Sequence, residues 1–349
     1  KIYYELREFI EVYDIISNEY YGEIDKNEMI NSAIDSLLDG VNDNFTTYID
    51  ENNTNSFLEN VNGTYEGIGC SVSTTSDGNI IVVDVFEDSP AAFSGVLAND
   101  IILKIDGVDY SDKTSEDMSN YVKNKAGDEI KLTVKRNDET IDIKLKRKKV
   151  EVPVVSGKIM NSNDKKIGYI RLELFSDIAY KQFKKKLKLL EKDKIEGLVV
   201  DVRNNSGGYL SSVTNISSLF LKKGKVIYQL KNNNKLEKIK DTTSERRNYP
   251  IVVLVNDGSA SASEIFAGAI KESYGGFILG TNTYGKGTVQ KTKMLENGSM
   301  IKYTVQKWLT PNGNFINEIG IEPTNVVEYD YNLEYDNQLE EALKLISDK

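Results

Sequence analysis

The sequence predicts three regions of different class: a helical amino-terminal segment, a compact α+β module, and an α/β core that fills the rest of the chain. Three observations predict it. Apolar residues near the start recur at steps of three and four, the spacing of one helix face. Between 64 and 150, short strand-like runs are punctuated by Gly78, Gly95, Gly107 and Gly127. Beyond 168, apolar runs alternate with helical stretches, as βαβ units and a largely parallel sheet require. At 349 residues the chain has room for two or three domains, and the boundaries are read at 1–63, 64–150 and 151–349.

In the first region Leu6, Phe9, Tyr13, Ile16 and Tyr20 form one apolar stripe. Asp25 followed by Glu28 reads as a capping box that opens a second helix, whose face is Ile30, Ala33, Ile34, Leu37 and Leu38. The asparagine-rich stretch 51–55 reads as a solvated loop, and the region as a packing appendage without chemistry. In the module, 80–85, 101–105 and 130–134 read as strands, and 115–124 as a short helix capped by Thr114. Tyr65-Glu66-Gly67-Ile68-Gly69-Cys70 opens it. Closely spaced glycines ahead of a strand can leave N–H groups free for a carboxylate, and an open strand edge can receive an extended peptide. Taken alone, Gly-x-Gly reads more simply as a tight turn.

The basic run 144–149 and the stretch Glu151-Val152-Pro153 mark the next boundary. After it come strand 168–174, helix 177–192, strand 197–202, helix 212–221, strand 251–255, a helix to 273, and strands 277–279 and 300–305. Leu198-Val199-Val200 suits a strand covered on both faces. The charged stretch 222–248 reads as a surface insertion.

Composition narrows the chemistry. Lys+Arg 44 against Asp+Glu 54 gives a net charge of −10, which argues against a nucleic-acid-binding surface. Cys70 is the single cysteine and histidine is absent, so neither an internal disulfide nor a cysteine–histidine zinc cluster can form. No metal or other cofactor is expected. No apolar run approaches a membrane span. The chain begins at Lys1 rather than methionine and reads as a fragment, so a signal or anchor ahead of it stays open.

The stretch Val255-Asn256-Asp257-Gly258-Ser259-Ala260-Ser261-Ala262-Ser263-Glu264-Ile265 reads as a buried strand, a small-residue turn and a helix start. A serine on such a turn exposes its hydroxyl over the positive end of the helix, which suits a nucleophile. Without histidine a Ser-His-Asp relay is impossible. The base must be Lys, Asp, Glu or an N-terminal amine, and lysine is the one whose pKa falls readily on burial. Gly285-Lys286-Gly287 offers such a lysine. Asp201 to Gly208 forms a second turn after a buried strand, where an N–H of Gly207 or Gly208 could join that of Ala262 in an oxyanion hole. A turn needing positive φ explains the paired glycines equally well. On the residues alone, all three serines remain candidates.

The module resembles a PDZ domain, through the opening loop, Ser89-Pro90-Ala91-Ala92, Gly95-Val96, Asp100-Ile101-Ile102 and Ile105-Asp106-Gly107 in that order. Ser94 and Asn99 stand where bacterial PDZ modules usually carry alanine and glycine; asparagine tolerates left-handed geometry, so the turn is expected to survive. Asp201-x-Arg203-Asn204-Asn205-x-Gly207-Gly208, the serine stretch and Gly285-Lys286-Gly287-x-x-Gln290, following that module, resemble the carboxyl-terminal processing peptidases, or tail-specific serine proteases. The likeness covers nearly the whole chain, including Leu309-Thr310-Pro311-x-Gly313 and Gly320-Ile321-x-Pro323; Thr324 stands where the family usually has aspartate.

That resemblance implies a helical cap, a PDZ module and an α/β protease core of the ClpP/crotonase-like type. It implies that Ser261 is the nucleophile, Lys286 the general base and Gln290 the residue that orients the lysine, four positions on, a step that suits one helix face. It implies serine endopeptidase activity on proteins with free C-termini, captured through Gly67, Ile68, Gly69 and Cys70. An extracytoplasmic location, an anchor outside this fragment and a homo-oligomer would fit it. Two other readings stay open: a silent or latent peptide-binding scaffold, and a different Ser-Lys acyl-transfer enzyme such as an amidase.

Overall fold

The computed structural model describes residues 2–233 and 235–349. They divide into two compact units, Lys1–Phe57 with Thr288–Gln306, and Leu58–Gly287 with Lys307–Lys349. No helix among the described residues is long and apolar enough to cross a membrane.

In the first unit the apolar periodicity produces the helices Arg7–Glu19 and Lys26–Asp39. Asp25 starts the second by accepting from the N–H groups of Asn27 (2.8 Å) and Glu28 (3.0 Å). Neither helix fully buries a residue, and Phe9 and Leu37 are 49 and 71 % exposed. The stretch expected as a loop at 51–55 is instead the start of a helix, Glu51–Asn62. Asp50 overrides the poor helix propensity of asparagine: its carboxylate accepts from both the side chain and the backbone of Asn53, bonds that hold its pKa below the usual range. The strand Met300–Leu309 pairs with Thr288–Met294 and, antiparallel, with Thr47–Ile49.

The second unit contains the module and the core. The module is a sheet in the order Cys70–Thr74, Ile80–Val85, Ile101–Ile105, Glu129–Arg136, Glu139–Lys146, with helices Pro90–Phe93 and Ser115–Asn124. Ile80, Val82, Ile105, Leu132 and Val134 fill its interior. Thr114 and Asp117 form the capping box of the longer helix. Asn99 adopts φ +70°, so the turn survives the glycine-to-asparagine departure. Cys70–Thr74 is an edge strand, open on one side.

The core sheet runs Val155–Ser162, Lys165–Leu172, Gly197–Asp201, Ile251–Val255, Phe277–Gly280, Asn325–Val326, antiparallel at the first pair and parallel thereafter. Gly197–Asp201 and Ile251–Val255 are buried throughout, as the apolar runs 198–200 and 251–255 demand. Phe183, Phe220 and Phe266 form a chain of edge-on rings, 6.0 and 6.2 Å between centroids, that locks together the layer containing helices Ala179–Lys192 and Ala262–Ala269. On another side Ala342, Leu343 and Ile346 of the helix Asn337–Ser347 pack with Val199, Val252 and Leu254. The serine helix ends in one π turn, Ile270–Tyr274. The stretch 222–248 is not a mere surface insertion: Val226–Lys231 and Leu236–Lys240 form a hairpin, Ile227 and Tyr228 are buried, and Leu230 lies opposite Trp308.

Candidate active site

Two turns leave the C-terminal ends of neighbouring parallel strands, where Asp201 lies opposite Leu254. The asparagines sew them together. Asn204 N–H donates to Asn256 Oδ1 (2.7 Å), and Asn256 Nδ2 returns a bond to Asn204 Oδ1 (2.8 Å). Ala260 N–H donates to Asn205 O at 3.0 Å. Ser259 Oγ donates to Val202 O and Ser263 Oγ to Asn205 O, both at 2.8 Å, and both serines are fully buried. These two hydroxyls hold the turns together. Ser261 is the half-buried member of the three.

Ser261 has φ 55° and ψ −111°, immediately ahead of the helix Ala262–Ala269. A non-glycine residue in this region costs about 1–3 kcal/mol and persists only where its surroundings impose it. Gly207 (φ +107°) approaches from the other turn, and Gly208 (φ +138°) follows it, packed on the Phe175 backbone. A Cβ on Gly207 would lie 2.9 Å from both Ser261 Cβ and Ala262 N. The Gly207 N–H donates to Asn205 Oδ1 at 2.9 Å. Among the described residues neither Gly208 nor Ala262 donates its N–H to another group of the chain, so of the two glycines Gly208 has the unused donor.

Lys286 sits in an extended loop directly before the strand Thr288–Met294. Gln290 therefore lies on a strand, and the helical step expected between the two residues does not occur; Thr288 and Val289, β-branched, favour the strand. Gln290 Nε2 donates to the hydroxyls of Thr288 and Thr304, both at 3.0 Å. The Lys286 N–H donates to Glu264 Oε2 (2.9 Å), and its carbonyl accepts from Trp308 Nε1 (2.7 Å). Glu264 also accepts from Ser261 N–H at 2.8 Å. The two amide nitrogens thus lie within two hydrogen-bond lengths of each other. In the sequence Glu264 was visible only as an acidic residue in a helix's first turn, and Trp308 gave no signal.

Below this, Asp201 is almost fully buried and neutralised on two sides. Arg171 Nη1 and Arg203 Nε reach Oδ1, at 2.9 and 3.0 Å, while Tyr169 Oη and Arg203 Nη2 reach Oδ2, at 2.9 and 2.6 Å. Arg203 continues to Asp336, at the start of the helix Asn337–Ser347. Burial opposes ionisation of Asp336, but the Arg203 guanidinium outweighs it and holds the carboxyl below its usual range. The network fixes the floor of the turn.

In the module Ile68 is buried, and its carbonyl accepts from Ala91 N–H (2.8 Å). The Gly69 carbonyl accepts from Phe86 N–H (2.9 Å) and Ser89 Oγ (3.0 Å). Gly67 ends the short strand Thr64–Gly67, and Cys70 begins the open edge strand. Burial pushes the Cys70 thiol up to about 12. The Tyr65 phenol rises to about 12, chiefly by burial and then through Cys70, against a bond from Gly69 N–H. No group of three or more His, Cys, Asp or Glu placed to hold a metal ion occurs among the described residues.

Comparison with known proteins assigns three segments. Residues 2–53 match the activating protease CtpB N-terminal domain, 67–146 a PDZ domain, and 166–327 peptidase family S41. The chain is 37% identical over 340 residues to the carboxy-terminal processing protease CtpB of Bacillus subtilis (strain 168), covering 95% of this chain and 70% of that protein. It is 34% identical over 320 residues to a "Probable CtpA-like serine protease" of Staphylococcus aureus (strain N315), covering 91% of this chain and 64% of that one. The photosystem II D1 C-terminal processing protease shares the fold, with TM-score 0.54 and 24% identity over 99% of this chain and 91% of that one. The chain belongs to peptidase family S41, as a C-terminal processing serine protease with a PDZ domain.

Proposed function

We propose that this chain cleaves peptide bonds through Ser261 and Lys286, on protein substrates recognised by their C-terminal tails. The observation that carries the reading is the strained Ser261, which is packed against Gly207 and followed by the unused Ala262 amide, with the unused Gly208 amide next to Gly207 in the facing turn. Lys286, in its neutral form, takes the Ser261 Oγ proton as the oxygen bonds to the substrate carbonyl carbon. The carbonyl oxygen becomes an oxyanion facing the Ala262 and Gly208 N–H groups, donors that suit charge developing in the transition state. The C–N bond then breaks, the departing amine takes the proton from Lys286, and water hydrolyses the acyl-serine by the same route. Gln290, its amide nitrogen held by Thr288 and Thr304, is assigned the orientation of Lys286 on the family resemblance.

The PDZ domain implies peptide or protein substrates. Capture of a free C-terminus at 67–70, with the tail added to the open edge of Cys70–Thr74, is the mode that edge favours. On the family resemblance we further propose an extracytoplasmic location, a membrane anchor and a homo-oligomer; fractionation and light scattering test them. The central experiment is mass spectrometry of the products from peptides with varied C-termini. Wild type is expected to cleave with tail dependence, and Ser261→Ala and Lys286→Ala to lose that cleavage. Full activity in either variant overturns the catalytic assignment, and indifference to the tail overturns the recognition mode.

A further inference from the structure

The side chain of Glu264 is fully buried, and four donors converge on its two oxygens. Oε2 accepts from Ser261 N–H (2.8 Å) and Lys286 N–H (2.9 Å). Oε1 accepts from Gly285 N–H (2.7 Å) and Thr283 Oγ1 (2.7 Å). Thr283 is itself fixed, accepting from Ile321 N–H at 2.6 Å. The remaining polar groups of the lysine loop are tied as firmly. Gly285 O accepts from Glu318 N–H (2.8 Å), Gly287 N–H donates to Asn317 Oδ1 (3.0 Å), and Gly287 O accepts from Trp308 N–H (3.0 Å). With Trp308 Nε1 on Lys286 O, every backbone N–H and C=O of Gly285-Lys286-Gly287 has a partner.

We propose that Glu264 is the positioning residue of the Ser261–Lys286 pair, one carboxylate that fixes the nucleophile's turn and the base's loop against each other. The inference rests on the catalytic reading above and adds to it. A glutamate serving only its own helix would satisfy first-turn amides; this one also reaches three residues of a segment about twenty positions downstream. An ionised carboxylate accepts up to about four hydrogen bonds, so one side chain can hold both segments without a competing donor. Glutamine in its place supplies one acceptor oxygen and turns an NH2 toward N–H donors. The unpaired side of the clamp then relaxes, and the distance between Ser261 and Lys286 is no longer enforced.

The test uses the full chain with a peptide that wild type cleaves. Glu264→Gln is expected to lower kcat about 100-fold, the scale of a 1 Å misplacement, with KM changed less than about threefold. Serine labelling by a fluorophosphonate should slow in proportion, and tail-peptide binding to the PDZ domain should be unchanged. A helix-stabilising role alone would lower Tm while the folded fraction kept its kcat. Folded Glu264→Gln with wild-type kcat overturns the proposal. If that variant does not fold, Thr283→Val decides: a kcat loss of about tenfold, restored by Thr283→Ser, supports the clamp, and an unchanged kcat overturns it. Lys286→Ala inactive beside a fully active Glu264→Gln overturns this inference alone. Lys286→Ala at full activity overturns the catalytic reading and this inference with it.

Discussion

Gly207 leaves no space for a side chain beside Ser261: a Cβ built on it falls 2.9 Å from Ser261 Cβ and 2.8 Å from Ala260 O. Its φ of +107° would strain any other residue as well. Gly207→Ala must therefore push the two turns apart or move the Ser261 hydroxyl and the Ala262 amide. Loss of one oxyanion donor costs about 100- to 1000-fold in kcat, and the same range is expected here. Steady-state cleavage together with near-UV circular dichroism checks this; a folded variant at wild-type kcat would show that the glycine serves only the turn.

The three serines should separate by measurement. Ser259 and Ser263 donate to buried carbonyls, so Ser259→Ala and Ser263→Ala should each lower stability by about 1–2 kcal/mol, the scale of a buried bond with an orphaned partner. Both should still be labelled by a fluorophosphonate. Ser261→Ala should lose the labelling while relieving little or no buried bonding. Denaturant melts and intact-mass labelling give the two readouts, and labelling that survives in Ser261→Ala would relocate the nucleophile.

Where local residue choice and tertiary context agreed, the sequence was readable to the residue. The strands Ile80–Val85 and Ile101–Ile105 and the helix Ser115–Asn124 have the expected bounds, because glycine turns and a capping box delimit them. Asparagine propensity misled at 51–55, where Asp50 supplies the helix start. Charge misled at 222–248, where exposed lysines flank the buried run Ile227, Tyr228 and Gln229. Within the candidate site, the absence of histidine pointed to a lysine, and the family resemblance is what singled out Ser261 and Lys286. Glu264 and Trp308 stayed hidden, since their contacts join segments far apart in sequence.

Inside the PDZ module, Asp100 has no exposed side-chain surface and pairs with Arg136 through Nε (2.6 Å) and Nη2 (2.7 Å). Burial pushes its carboxyl up, but Arg136 and the Leu97 N–H outweigh that and hold it below the usual value. A folded pKa below the unfolded one adds stability above about pH 4, and that stability is lost as pH falls through the folded value. Arg136→Met should therefore cost about 3 kcal/mol near neutrality by stranding a buried carboxylate. The gap to wild type should narrow in acid as Asp100 protonates. Urea melts at pH 7 and pH 3 check it, and a gap independent of pH would assign the loss to packing.

The loop 67–70, proposed to bind the substrate tail, is closely packed. Gly69 sits at φ +85°, and a Cβ there would lie 2.2 Å from Ser89 Cβ. Ser89 Oγ ties the loop by donating to Gly69 O and accepting from Ala92 N–H at 3.2 Å. Those bonds turn the loop's carbonyls toward the helix Pro90–Phe93 and set the direction of its amides. Gly69→Ala must break that arrangement, whereas Ser89→Ala removes both hydroxyl bonds, one of them to the loop, and leaves the main chain room to stay. A fluorescent peptide with a free C-terminus should bind Gly69→Ala at least tenfold more weakly and Ser89→Ala by an intermediate factor, about 1 kcal/mol for the bond lost to the loop. Capping the peptide's carboxylate as an amide should weaken wild-type binding as much as Gly69→Ala does. Equal affinity for acid and amide would place tail recognition elsewhere than on the amides of 67–70.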